Sequence, residues 1–390
     1  MKTIGIVAEY NPFHTGHAWH IQKTRQMFPE ETAVVAVMSG NWVQRGECAV
    51  TDKWTRTEKA LAGGADLVLE LPTAWATASA EGFAKGAVSL LAATGVVDIL
   101  SFGSECGEIA PLQELSRCLN SPDFSCALRQ ELNGRQSFAY CRRKAAARLL
   151  GEETAALLDF PNNSLGVEYL RFWPPSMQAV TVPRQGAEHD GEAAEEFASA
   201  SLLRRWLRAG DVTSASPYLP LPWKGESANM KYLERTLIAR LRAMSLTEAE
   251  TFPDSGNGLA TRLLCAARQA ASLEELYTLT KTRSYTHARV RRLALYALLG
   301  LRKVDRPVSP SYIRVLGFNS LGRQLLKEMN QKATLPIFVK PAHMHTQTRF
   351  SPEAQDLFTL EERFTDLFAL CFPTPWTSGL EWTTNPVIAK

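Results

Sequence analysis

No Cys-x-x-C pair occurs in this chain, and its seven cysteines (Cys48, Cys106, Cys118, Cys126, Cys141, Cys265 and Cys371) are odd in number and scattered. That excludes a sequence-readable disulfide framework or zinc knuckle and points to reduced thiols used as small apolar residues. No apolar stretch reaches the roughly eighteen residues of a membrane span, and Asp98 interrupts the best candidate. The opening MKTIGIVAEYNPFH breaks its apolar run at Glu9 and lacks a signal-peptide layout, so a soluble cytoplasmic protein is expected. Charge excess is missing too. With 43 Lys and Arg against 40 Asp and Glu, the net charge is +3, and any case for nucleic acid must rest on a local patch. Repeats and low-complexity tracts are absent.

What is present is a globular composition, 45% hydrophobic and 21% charged, over 390 residues, a length that favours two domains. The first hundred residues alternate strand and helix patterns. Apolar, β-branched runs at 3–8, 33–38, 66–71 and 96–102 read as buried parallel strands, with helix patterns at 15–27, 53–62 and 78–93 between them. A fifth strand pattern lies at 177–182, and the glycine- and acid-rich stretch 186–196 reads as a loop. Turn signals at Pro217, Pro220, Pro222 and Gly225 suggest a junction, after which helix patterns run almost throughout, with a short β-like run at 336–340. The expectation is an α/β Rossmann-like domain with a parallel sheet over 1–212, and a mainly helical domain over 213–390.

The strongest chemical signal is Glu9-Tyr10-Asn11-Pro12-Phe13-His14-Thr15-Gly16-His17, set where the first strand hands over to the first helix. Ligands of parallel sheets bind at the carboxyl ends of strands, and a helix start offers free amides and a positive dipole end to phosphate. Gly16 lets the backbone approach a nucleotide closely. His14 and His17, three apart on the opening turn, would project together and donate hydrogen bonds to a triphosphate. The plainer alternative is a pair of capping histidines. Zinc is disfavoured because no carboxylate or cysteine ligand stands at the right spacing, so no metal ligands are assigned.

The segment GIVAEYNPFHTGHAWH resembles the H-x-G-H signature of the nucleotidyltransferase superfamily and, more narrowly, the tRNA(Met) cytidine acetate ligase family. Further stretches carry that resemblance: MSGNWVQRGE at 38–47, GADLVLELP at 64–72, SAEGFAKGAV at 79–88, FGSE at 102–105, PNNSLGVEYL at 161–170 and YIRVLGFN at 312–319. It implies ATP and, with it, Mg²⁺ as cofactors, and acetate and elongator tRNA(Met) as partners. The product would be N4-acetylcytidine at the wobble position, formed through acetyl-adenylate. His14 and His17 would be the catalytic pair. Val7, Ala8, Glu9, Tyr10, Asn11, Pro12, Phe13, Thr15, Gly16 and His20 would join them around ATP. The resemblance places an ATP contact at Asn162, with Asn163 the alternative, and at Arg184; the residue before it is Pro183, where the family usually has a second basic residue.

Other residues have readings of their own. Gly103, at the end of the fourth strand, would floor the adenine or ribose pocket from across the switch point. Ser199 or Ser201 would cap a helix whose amides hold the β- and γ-phosphates, in an element resembling S-x-T/S-x-x-R through Arg204. Gln44 and Arg45 lie in a loop that either reaches substrate or is a solvated surface. Lys53 and Arg56 either pair with Glu70, steer an anion or form a plain surface face. Between 281 and 306 eight Lys or Arg residues face a single acid, Asp305. Arg289 and Arg292 would leave the buried stripe of a helix on one face, with Tyr285 and His287 ready to stack on bases, making an RNA surface. The rival readings are an adenylyltransferase or ligase for a small metabolite, and an RNA-binding protein that has lost catalysis. The pattern says nothing of oligomeric state.

Overall fold

The computed structural model describes residues 1–132, 136–175, 177–184 and 197–389, so the stretch read as a loop at 186–196 lies outside the described residues. Its strands are β1 (Lys2–Ala8), β2 (Thr32–Ser39), β3 (Trp42–Val43), β4 (Glu47–Cys48), β5 (Leu67–Leu71), β6 (Ile99–Ser104), β7 (Gln178–Pro183), β8 (Ile313–Phe318), β9 (Ile337–Phe338) and β10 (Val387–Ile388). All but β3 and β4 join one sheet in the order β10-β8-β5-β2-β1-β6-β7, with β9 also on β8. Every residue of β2 is buried, as a central strand covered on both faces requires. Ile6 of β1 pairs with Ala36 of β2 on one side and Ser101 of β6 on the other, all parallel.

The sheet is Rossmann-like but mixed. Its antiparallel pairing is β5 with β8, and β8 comes from residues far along the chain, within the stretch expected to be mainly helical. That strand, IRVLGF, is buried at every position although it holds Arg314 and Gly317, two residues that break an apolar pattern. The β-like run expected at 336–340 is β9, and it lies beside β8.

The segment expected as a polar loop after β2 contains the β3–β4 hairpin. Trp42 Nε1 donates to Phe364 O at 2.9 Å, fixing the hairpin to the C-terminal half. At its turn Gly46 has φ of 75°, and a Cβ there would lie 2.4 Å from the backbone nitrogen of Arg292. Only glycine fits this approach of the turn to the helix His287–Leu299. Among the described residues no helix is long and apolar enough to cross a membrane.

Candidate functional site

β1 lies between β2, which follows it, and β6, which is reached after β5, so the connection order reverses at its carboxyl end. A cavity of about 510 Å³ opens there, as strand topology dictates. Its wall includes Val7, Ala8, Glu9, Tyr10, Asn11, His14, Gly16, His17, His20, Gly103, Asn162, Arg184, Ser199 and Ser201, bringing fourteen of the expected residues together. Pro12, Phe13 and Thr15 are not part of that wall. Phe13 is fully buried in a core cluster with Tyr10 and Ile21.

The two histidines build the helix start as well as the wall. His14 is the N-cap of the helix Thr15–Gln26. Its Nδ1 accepts from the Gly16 amide at 3.1 Å, and His17 Nδ1 accepts in return from the His14 amide at 3.2 Å. The plainer reading, a capping pair, is therefore geometrically true, and it has a chemical consequence. A neutral imidazole that accepts at Nδ1 carries its proton on Nε2. Both rings thus present an N–H donor at Nε2, with ring centroids 3.9 Å apart. Burial lowers His14 to about 3, with Arg184 and Arg204 adding to the effect. Burial, His14, Arg184 and His20 depress His17. His20 is lowered to about 4 by burial and Arg184, and its Nε2 lies 3.0 Å from Ser101 Oγ. All three are neutral near pH 7.

Gly16 lines the cavity and has a second, local reason to lack a side chain. A Cβ there would fall 2.9 Å from Cε1 of His14, so the missing side chain makes room for the capping imidazole. With the Gly16 amide already taken, the donors left to a phosphate at this turn are chiefly the two imidazoles.

The opposite wall comes from the helix Pro161–Phe172 and the end of β7. Neither asparagine caps that helix. Glu105 does so, its Oε1 accepting from Asn162 N at 3.1 Å and its Oε2 from Asn163 N at 2.7 Å. Asn163 turns inward and accepts from Glu105 N and Cys106 N, whereas Asn162 reaches the cavity and accepts from Arg184 Nη1 at 2.9 Å. Ser199 caps the helix Ala200–Ala209 through Leu202 N at 3.2 Å.

Arg204 is a wall residue that the sequence reading left out of the site. It donates to Asn11 O at 2.7 Å and Ser201 Oγ at 3.2 Å, and lies 3.7 Å from Glu47 Oε1. Its place in the S-x-S-x-x-R stretch, three residues after Ser201, was the available signal. Gln44, Arg45 and Glu47 also line the cavity, so the hairpin is not merely a solvated surface. Arg56 is fully buried, contrary to the surface alternative. Its guanidinium holds Glu9 O at 2.7 Å, Ser39 O at 3.0 Å, Gly40 O and Thr51 O, tying the carboxyl ends of β1 and β2 together. Lys53 is fully buried as well and pairs with Glu70 at 2.7 Å.

The basic stretch departs from expectation in detail. Arg292 is buried and salt-bridged to Asp254 at 2.7 Å, and Arg289 donates to the carbonyls of Asp254 and Gly256. Both anchor the helix His287–Leu299 to the preceding loop, because a helix buried along most of its length has little free face to offer. Lys281, Arg283, His287, Arg302 and Lys303 remain exposed.

A family model described as HIGH Nucleotidyl Transferase matches residues 1–380. A protein of Syntrophomonas wolfei named tRNA(Met) cytidine acetate ligase is 35% identical, over 99% of this chain and 99% of that one. One of the same name from Caldanaerobacter subterraneus is 34% identical with both chains fully covered. Among solved structures, Thermotoga maritima TmcAL bound with alpha-thio ATP superposes with a TM-score of 0.91 at 31% identity, covering 100% of this chain and 99% of that one. The apo form of that protein gives 0.92 at 31% identity with the same coverage.

Proposed function

This chain belongs to the tRNA(Met) cytidine acetate ligase family of HIGH nucleotidyl transferases, and we propose that it activates acetate with ATP and acetylates N4 of the wobble cytidine of elongator tRNA(Met). The observation that carries the reading is the pair of neutral imidazoles, each with an Nε2–H donor, at the switch point of the sheet beside Arg184 and Arg204. An acetate oxygen attacks the α-phosphorus, the bond to the bridging oxygen breaks, and its electron pair leaves with pyrophosphate. His14 and His17 donate to the oxygens on which charge accumulates, while Arg204 and the start of the helix Ala200–Ala209 hold the departing phosphates. Asn162, Arg184 and Gly103 hold the nucleoside end.

Val7, Ala8, Tyr10, Asn11, Gly16, His20, Ser199 and Ser201 complete the nucleotide site, and Glu9 stands on the same cavity wall. Among the described residues no three His, Cys, Asp or Glu side chains converge as a metal cage. Mg²⁺ would enter on the triphosphate, neutralising its charge. The cytidine amine then attacks the acetyl carbonyl and AMP leaves. The division of labour assigns 1–212 to catalysis and 213–390 to tRNA, except that β8, β9 and β10 complete the catalytic sheet; the tRNA backbone meets the exposed cations at 281–306. The protein works in the cytoplasm, where its RNA substrate is.

The test is pyrophosphate exchange into ATP with acetate present, followed by mass spectrometry of nucleosides from tRNA(Met) incubated with enzyme, ATP and acetate. Exchange that requires acetate, together with N4-acetylcytidine, is the expected result. Exchange elicited by a different acid alone would overturn it.

A further inference from the structure

One group on the cavity wall has the wrong charge for the substrates just assigned. Triphosphate and acetate are anions, and a carboxylate facing them is repulsive. Two carboxylates line the cavity near the hairpin, Glu9 and Glu47. Glu47 is paired with Arg208 at 3.1 Å and lies beside Arg204, which accounts for it. Glu9 instead accepts at Oε1 from the backbone amide of Gln44 at 2.8 Å. Its backbone is fixed by the Arg56 clamp on its carbonyl. Glu9 is thus a positioned carboxylate just after β1, lining the cavity with Arg204 and Arg45 near it, where a substrate amine would gain from it.

The third reactant supplies one. An exocyclic cytidine amine is a poor nucleophile because its lone pair is delocalised into the ring, and attack leaves positive charge on nitrogen unless a base removes a proton. Glu9 also stands on the correct side. Its neighbours Gln44, Arg45 and Glu47 belong to the hairpin whose turn, at Gly46, abuts Arg291 and Arg292 of the helix His287–Leu299, within the basic stretch. Gly103, Asn162 and Arg184, the nucleoside-holding residues, lie toward β6 and β7.

We propose that Glu9 is the general base of the transfer half-reaction, resting on the acetyl-adenylate reading above. As the N4 nitrogen attacks the acetyl carbonyl carbon, the C–N bond forms and one N–H proton passes to the Glu9 carboxylate. The bond from the acetyl carbon to the phosphate oxygen breaks, and its electron pair leaves with AMP. The charged groups around Glu9 are Arg45 and Glu47 from the hairpin, Arg204 from the helix Ala200–Ala209, and Arg56 from the helix Lys53–Ala62, with the Tyr169 hydroxyl on the helix Pro161–Phe172. Burial raises the Glu9 carboxyl, against the opposing pull of the Gln44 amide and of Arg204 and Arg45, and so makes it a stronger base than a surface carboxylate.

The experiment separates the half-reactions on full-length enzyme. Acetate-dependent pyrophosphate exchange reads adenylate formation, and single-turnover acetylation of tRNA(Met) from preformed acetyl-adenylate reads transfer. Glu9→Gln keeps an oxygen for the Gln44 amide, and it is expected to lower transfer by about 100- to 1,000-fold while lowering exchange by far less. Wild-type transfer should fall on acidification with an ionisation that Glu9→Gln lacks, and Glu9→Asp should recover part of the rate. The proposal is overturned if exchange falls as far as transfer in both variants, if transfer is unchanged in Glu9→Gln, or if the variant only raises the Mg²⁺ needed for exchange. Wild-type enzyme that shows no acetate-dependent exchange would instead sink the underlying reading.

Discussion

Two sets of buried ionisable residues sit at this sheet, and they are treated oppositely. On the β5–β8 side, Lys53 binds Glu70 at 2.7 Å and also Glu381, while Arg314 reaches Glu70 at 3.0 Å and Glu381 again. Although burial pushes Glu381 up, Arg314 and Lys53 hold it down at about 2. Glu361, a third carboxylate for two cations, is raised to about 8 by burial and by Glu70, and accepts from Thr73 N at 2.6 Å. Two positive charges thus meet two negative ones, and the surplus acid keeps its proton. At the cavity the histidines are treated differently. They shed their protons under burial and nearby arginines and become neutral donors, while Arg204 and Arg208 share Glu47. Compensated burial joins chain segments, whereas burial that neutralises imidazoles without compensation leaves donors on a cavity wall.

Breaking one member of the compensated set is the largest expected effect. Lys53→Met leaves Arg314 alone to meet both Glu70 and Glu381, one buried negative charge in excess, and should cost ~3–5 kcal/mol, read as a shift in urea midpoint. On the uncompensated side, His17→Ala should lower acetate-dependent exchange by about 100- to 1,000-fold, the loss typical of one preorganised donor. Its cost in stability should be nearer ~1 kcal/mol, the size of a lost helix cap. If His17→Ala proves as destabilising as Lys53→Met, the contrast drawn here fails.

Proton linkage sharpens the comparison with smaller effects of opposite sign. Glu361 moves from an ordinary 4.5 to about 8 on folding, so the unfolded chain releases its proton first and stability declines as pH rises between those values. Glu361→Gln should flatten that decline in urea titrations at several pH values. His14 moves from 6.5 to about 3, so its contribution is present above 6.5 and is lost as pH falls toward 3. The finest test is nitrogen NMR of the imidazoles. At pH 7 His14 and His17 should show protonated Nε2 and bare Nδ1, and neither should titrate between pH 8 and 5; an Nδ1–H signal on either would contradict the capping geometry.

Much of the frame was legible in residue order because central parallel strands are continuous apolar runs. The stretches 33–38 and 66–71 announced β2 and β5, and the histidine pair announced the strand-to-helix turn. β8 escaped because Arg314 and Gly317 interrupt its pattern, and the compensating carboxylates lie far away in sequence. Asn162 and Asn163 were indistinguishable until Glu105 capped their helix and turned one inward.

The order of residues by itself determined the strand pattern, the H-x-G-H turn and the chemistry available there, because these depend on neighbours a few positions apart. Only tertiary structure decided that Arg204 crosses to Asn11 and that Arg292 faces inward. Each of those depends on which distant segment fills the space beside a side chain, and local periodicity does not encode that.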